Sequence, residues 1–357
     1  MNIQQKTWQQ LQQKNIVSGE YQANETVYSP WFVKLLLAFS GWVASLFILG
    51  FFLLTLHDAI SDSVACFLIG SGFIVLAYFL LRSNPHEFLE HLMLATSLAG
   101  QALIAWALFA NNWASSPLVS WLILFALQSV LAIFMPHYIH RVCSALFASI
   151  ALIISFHYLQ ISLLSSATLL FAVTTLVLNE WRFPRYQPSF EALSYGIVIV
   201  LIALQASNTL GYEITYWLSE HNGEQTINHY LDETLLLLVM LYLVITLIKR
   251  SAMAFSLLSR ITIIGTTICF CLLSMQAPGI TVGLAILVLG FSNSNKVLQG
   301  LGTCALLYYI GSYYYLLTFT LLQKSASLLV VGLFLLLLRY LLLTFANPLK
   351  PGVNNEA

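Results

Sequence analysis

Few side chains here are equipped for chemistry, and those few collect in separate stretches. The first carries Tyr313-Tyr314-Tyr315 and, a few residues on, Lys324-Ser325. A lone cation beside three phenol rings suits a lipid phosphate or an acidic group on a partner, with the rings stacking on an acyl or sugar moiety. The plainer expectation is a snorkelling lysine beside an interfacial aromatic belt. The second group is Asn179, Glu180 and Arg182 with Asn295, Lys296 and Arg339. These amides and charges sit at or near the ends of apolar segments and read as a cytoplasmic interface, Glu180 forming an ion pair beside Arg182. The third, residues 208–232, holds His221, Glu224, His229 and Asp232, with Glu233 next. Those side chains can ligate metals, yet their spacing places no two imidazoles on one helix face, and Asn222-Gly223 with nearby acids suits a solvated turn. Tyr212, Tyr216 and Trp217 lay its first part along the outer headgroups.

Gln101, Gln128, His157 and Gln205 lie within apolar runs, where each is expected to join neighbouring helices by hydrogen bonds. All five cysteines also fall in apolar runs, so no disulfide framework and no Cys269/Cys271 metal site is expected. No nucleophile with a base, no paired acids and no metal set can be named. The expectation is a chain without cofactor or nucleic-acid partner, and more plausibly a non-enzyme than an enzyme.

The elements that must position these groups follow from composition. Of 357 residues, 59% are hydrophobic and 8% charged, against roughly 25% charged in soluble domains. Apolar runs of membrane-spanning length recur, near residues 31–56, 62–82, 90–110, 117–135, 141–158, 163–180, 190–209, 233–248, 258–275, 278–291, 296–315 and 325–345. The expected fold is all-α, a polytopic transmembrane helical bundle of about 12 spans. The segment 278–291 is the weakest, since fourteen residues cover only about 21 Å as a straight helix.

Thirteen of the fourteen Lys and Arg residues fall at the N-terminus, at the even-numbered loops or at the C-terminus, and only Lys324 lies on the other side. The positive-inside rule therefore puts both termini in the cytoplasm. Residues 1–30 read as a cytoplasmic segment with a short surface helix around Trp8 and Leu11, broken near Asn15 and Gly19; residues 31–345 form the bundle and 346–357 a cytoplasmic tail. Small residues four apart, such as Gly41 with Ser45, Ala95 with Ala99, Ser144 with Ala148 and Gly279 with Gly283, are spaced for close helix packing. A faint echo links 141–182 with 260–296: each begins with a basic residue and ends in an Asn-containing basic loop.

Several stretches carry a family resemblance. They are Ser29-Pro30-Trp31-Phe32-Val33-Lys34 leading to Gly41-Trp42, Asn179-Glu180-Trp181-Arg182, Pro278-Gly279-Ile280, Gly290-Phe291 through Asn295-Lys296, and Tyr313–Tyr315 with Thr320-Leu321-Leu322 and Lys324-Ser325, followed by Gly332 and Arg339. On these the chain resembles the bacterial integral membrane proteins of the domain of unknown function 4401 family. The resemblance implies a multi-pass protein of the inner membrane, often encoded near a second membrane protein bearing a Gly-Asp-Tyr motif, and brings no catalytic residues. Membrane lipids and that second protein are the expected partners. The expected function is a partner- or lipid-binding component of the cell envelope, with a transporter or lipid flippase as the alternative.

Overall fold

The structure, a computed structural model, describes residues 8, 10–14, 16–19, 31–55, 62–83, 86–110, 116–209, 225–251, 256–275, 277–316 and 321–345. Residues 10–13 form a helical turn, and the Trp8 indole and the Gln12 amide both donate to the Gly19 carbonyl. The expected tail, 346–357, lies outside the described residues.

Twelve α-helices follow among the described residues: α1 Trp31–Thr55, α2 Ser63–Arg82, α3 Glu87–Ala110, α4 Pro117–Phe134, α5 Tyr138–Tyr158, α6 Leu164–Asn179, α7 Gln187–Thr209, α8 Gln225–Arg250, α9 Leu257–Ser274, α10 Ile280–Ser292, α11 Lys296–Leu316 and α12 Leu321–Phe345. Two 3-10 turns, Glu180–Arg182 and Pro184–Tyr186, join α6 to α7. Seven helical stretches are long and apolar enough to cross a membrane, and 257–272, 280–292 and 329–345 are shorter apolar helices. The outward faces carry apolar side chains such as Phe39, Phe47, Leu68, Leu333 and Leu336, all exposed. Such a band is expensive in water and costs nothing in hydrocarbon.

Local chemistry sets the helix ends. Asp62 accepts from the Val64 amide at the start of α2, Ser256 from the Ser259 amide at α9, and Asn295 from the Val297 and Leu298 amides at α11. Each satisfies backbone donors that a helix leaves unpaired. Gly279 opens α10 at φ +88°, a left-handed conformation, with the Tyr309 ring where a Cβ would stand. Gly279 thus turns the chain and packs closely on Tyr309, while Gly283, four residues on, packs closely on Leu306.

Small residues set the crossings. Gly41 of α1 meets His91 and Leu92 of α3; Gly70 of α2 meets Gly100 of α3; Gly196 of α7 meets Val142 and Ala145 of α5. Along α10 and α11, Gly283 faces Leu306, Leu287 faces Gly302, and Gly290 faces Gln299, so the two run antiparallel. Three apolar clusters result among the described residues, the smallest of them Ala77 and Leu81 of α2 with Met93 of α3, and the other two form the main cores. The smaller joins Ile74, Ile104, Leu108, Leu124, Leu131 and Ala151 of α2–α5. The larger joins α5 to α11 around Leu170, Val198, Leu201, Leu236, Leu243, Ile286 and Leu298.

Candidate functional site

Against these cores the buried polar groups stand out, and they form three sets.

At one end of the bundle the closing turns of α6 and α10 clasp each other. Glu180 is only 5% exposed. Its Oε2 accepts from Asn293 Nδ2 at 3.0 Å and its Oε1 from Gln187 Nε2 at 3.3 Å, while the same Asn293 amide donates to the Val177 carbonyl at 2.7 Å. Arg250 donates to the Leu178 carbonyl and to Asn179 Oδ1, and Tyr195 bridges Glu191 Oε1 and Asn295 Oδ1. Arg141 donates to Ser189 and to the Met135 carbonyl. This end thus gathers Arg141, Arg182, Arg185, Arg250 and Lys296.

The expected ion pair between Glu180 and Arg182 does not form. Consecutive residues of a tight turn diverge, so Glu180 turns inward to amide donors while Arg182 is exposed and lies over the Phe183 ring. Asn179, Glu180 and Asn295 are therefore internal braces; Lys296 and Arg339 are exposed, and Arg339 stands apart on α12, which packs mainly on α9.

A second set lies among α3, α4 and α5. His140 is fully buried, its Nε2 2.8 Å from Ser97 Oγ and 3.1 Å from Gln101 Nε2, its Nδ1 3.2 Å from Ser144 Oγ. Gln128 Nε2 donates to Gln101 Oε1 at 3.0 Å, so the Gln101 amide nitrogen faces the ring. The ring thus joins α5 to α3 and, through Gln101, to α4. Gln101 and Gln128 thus act as interhelical glue, at about 0.6 kcal/mol per bond in a bilayer. Sequence reading passed over His140 because Arg141 beside it marks a segment end. The usable signal was Ser97/Gln101 on one helix face and His140/Ser144 on another, each pair four apart.

Outside the apolar segment, His137 caps α5. Its Nδ1 accepts from the His140 amide at 3.3 Å and its Nε2 meets Glu90 at 3.0 Å. Burial, aided by His91, holds its pKa below 6.5, and Glu90 opposes this without reversing it. A group depressed in the fold binds fewer protons there than when unfolded, so its stability contribution is complete above pH 6.5 and lost as pH falls through the lower folded value. Protonating Nδ1 also deletes the cap, worth about 1 kcal/mol. The apparent melting temperature in detergent should fall as pH drops below 6.5, and His137→Asn, which caps without titrating, should flatten that slope. An equally steep slope in the variant would assign it elsewhere.

The third set corrects another expectation. Asp232 belongs not to a solvated turn but to α8, which begins at Gln225 and also carries Glu233, expected at the start of a span. Adjacent helical residues point about 100° apart, so the two carboxyls serve different neighbours. Asp232 faces Ser166 of α6 and Gln205 of α7. Glu233, 2% exposed, takes hydrogen bonds from Thr281 Oγ1 of α10 at 3.4 Å and the Gly279 amide, with Ser274 of α9 2.5 Å from Thr281. Asp232 Oδ1 and Glu233 Oε1 are buried without a hydrogen-bond partner, and among the described residues neither acid joins an ion pair. His221 and Glu224, and the side chain of His229, lie outside the described residues.

The tyrosine block ends α11. Tyr313 and Tyr314 are half-buried and Tyr315 is 83% exposed, its ring edge-on to Tyr314. Ser325 is exposed and bonded to the Leu322 carbonyl. Residues 317–320 and the side chain of Lys324 lie outside the described residues.

Among the described residues an all-helical chain with several apolar helices long enough to cross a membrane marks a membrane-embedded protein of uncharacterised activity. Residues 30–344 match the family described as Domain of unknown function (DUF4401), nearly the whole chain, and the protein belongs to that family. No curated protein and no solved structure matches it.

Proposed function

We propose that this protein crosses the bacterial inner membrane twelve times with both termini in the cytoplasm, and that it is a transporter whose central bundle takes up a proton or small cation at Glu233. The twelve helices and the basic clasp at one end support the topology. The observation that carries the transport reading is the Glu233 carboxyl, enclosed by α8, α9 and α10 and facing only hydroxyl and amide donors among the described residues. A bare carboxylate there costs several kcal/mol, so the group holds a proton or a cation, as intramembrane acids on ion pathways do. Asp232, set toward α6 and α7, lies on the same helix turn and widens the acidic region.

Purified protein in proteoliposomes should admit protons, or sodium, under an imposed potential, read with an internal pH dye and with radioactive sodium. Glu233→Gln should cut that flux about tenfold or more, the usual scale for losing a proton-transfer group, while Glu233→Asp retains part. Wild-type vesicles as tight as empty ones, or a Glu233→Gln protein that matches wild type, would refute the transport reading. The former would favour the other reading, a partner- or lipid-binding envelope component. That reading has its own support: Tyr315 and much of α12, Leu322 and Leu333 included, are exposed.

A further inference from the structure

The geometry points to a binding site for the headgroup phosphate of an anionic phospholipid on the turn between α6 and α7, made by Arg182 and Arg185 and flanked by Trp181, Phe183 and Tyr186. All six residues from Trp181 to Tyr186 are exposed, on two successive 3-10 turns. This is a held surface. Glu180 anchors the first turn to Asn293 and Gln187, and Phe183 packs edge-on to Phe190 at 6.3 Å.

Charge decides the ligand. Glu180, the acid next to the two arginines in sequence, is committed to amide donors inside the bundle, and Glu191 accepts the Tyr195 hydroxyl at 2.7 Å. No carboxylate ion-pairs with Arg182 or Arg185 among the described residues. Two exposed guanidinium groups therefore share one short turn with their charge uncompensated, and guanidinium binds phosphate in bidentate fashion. The aromatic side chains decide the source. Trp181, Phe183 and Tyr186, 62%, 47% and 54% exposed, flank the cations at the end of membrane-length helices, where such rings sit among lipid headgroups. A soluble anion would gain nothing from them.

Full-length protein, delipidated in detergent, is titrated with short-chain phosphatidylglycerol and with phosphatidylcholine of the same chain length. Phosphatidylglycerol should bind at least about tenfold more tightly. The double variant Arg182→Ala/Arg185→Ala should lose on the order of 30-fold in phosphatidylglycerol affinity, at the scale of one basic side chain near an anionic surface taken twice, with phosphatidylcholine binding and melting temperature unchanged. Trp181→Ala should weaken both lipids. Lys249→Ala/Lys296→Ala, on the same end of the bundle, should change affinity less than about threefold, because those side chains lie outside the turn.

The assignment is overturned if the two lipids bind alike, if the arginine variant binds like wild type, or if the lysine variant loses as much, which would mean a diffuse basic field. Displacement of the lipid by millimolar inorganic phosphate would overturn it in favour of a soluble-anion site. An acidic protein segment that binds the turn while lipid affinity stays insensitive to the arginines would overturn it too.

Discussion

Gly100→Leu should give a chain that accumulates poorly and melts well below wild type, at a cost on the order of 3 kcal/mol. A Cβ on Gly100 would stand 2.5 Å from the Gly70 carbonyl oxygen and 3.0 Å from Phe73 Cβ, and one on Gly70 would stand 2.6 Å from the Gly100 carbonyl oxygen. The obstacles are the two backbones, which no rotamer change can move aside. Forcing α2 from α3 also opens the small core at Ile74 and Ile104. Gly72→Leu is the control: it lies two residues beyond Gly70 on α2, is exposed, and has nothing within 4 Å of its Cβ position, so its effect should stay within about 0.5 kcal/mol. Thermal unfolding in detergent of both variants decides the matter, and similar melting of the two would remove the claim that this crossing is steric.

Asn293→Leu should be the next most damaging change, at about 2–3 kcal/mol. The amide it removes donates to the Val177 carbonyl at 2.7 Å and to Glu180 Oε2 at 3.0 Å, and Glu180 is 5% exposed. The leucine would leave a buried charge short of a donor and would release the turn that closes α10 from the one that closes α6. If the loss arises from that stranded carboxylate, Glu180→Leu made in the same chain should recover part of it. A double-mutant cycle should then return a coupling of about 1–3 kcal/mol. Additivity to within about 0.5 kcal/mol would mean that the two turns are held by something other than this clasp.

Both predictions concern contacts between residues distant in the chain, and that is where sequence reading stopped. The positions of the twelve helices were legible because an apolar run of fixed length is a local property; even 278–291, doubtful for its length, appears as Ile280–Ser292. Small residues four apart announced close packing, and Gly41, Ala95 and Ser144 lie at or near such contacts. Glu180 illustrates the opposite case. Its nearest opposite charge in sequence is Arg182, and a local reading pairs them. The fold instead brings Asn293 from the far side of four further helices.

The chain's apolar character and its helical segments were determined by composition and order alone, because each depends on how a single segment partitions between water and lipid. Which polar groups face inward was decided by the tertiary structure. A helix spanning a membrane pairs its own backbone, but its orientation about its axis is set by its neighbours. That rotation turns Asp232 and Glu233 from the flank of a presumed loop into a half-buried and a buried residue, and it seats His140 against Ser97 and Gln101. In the turns between α6 and α7, Glu180 points into the clasp while Arg182 and Arg185 are exposed.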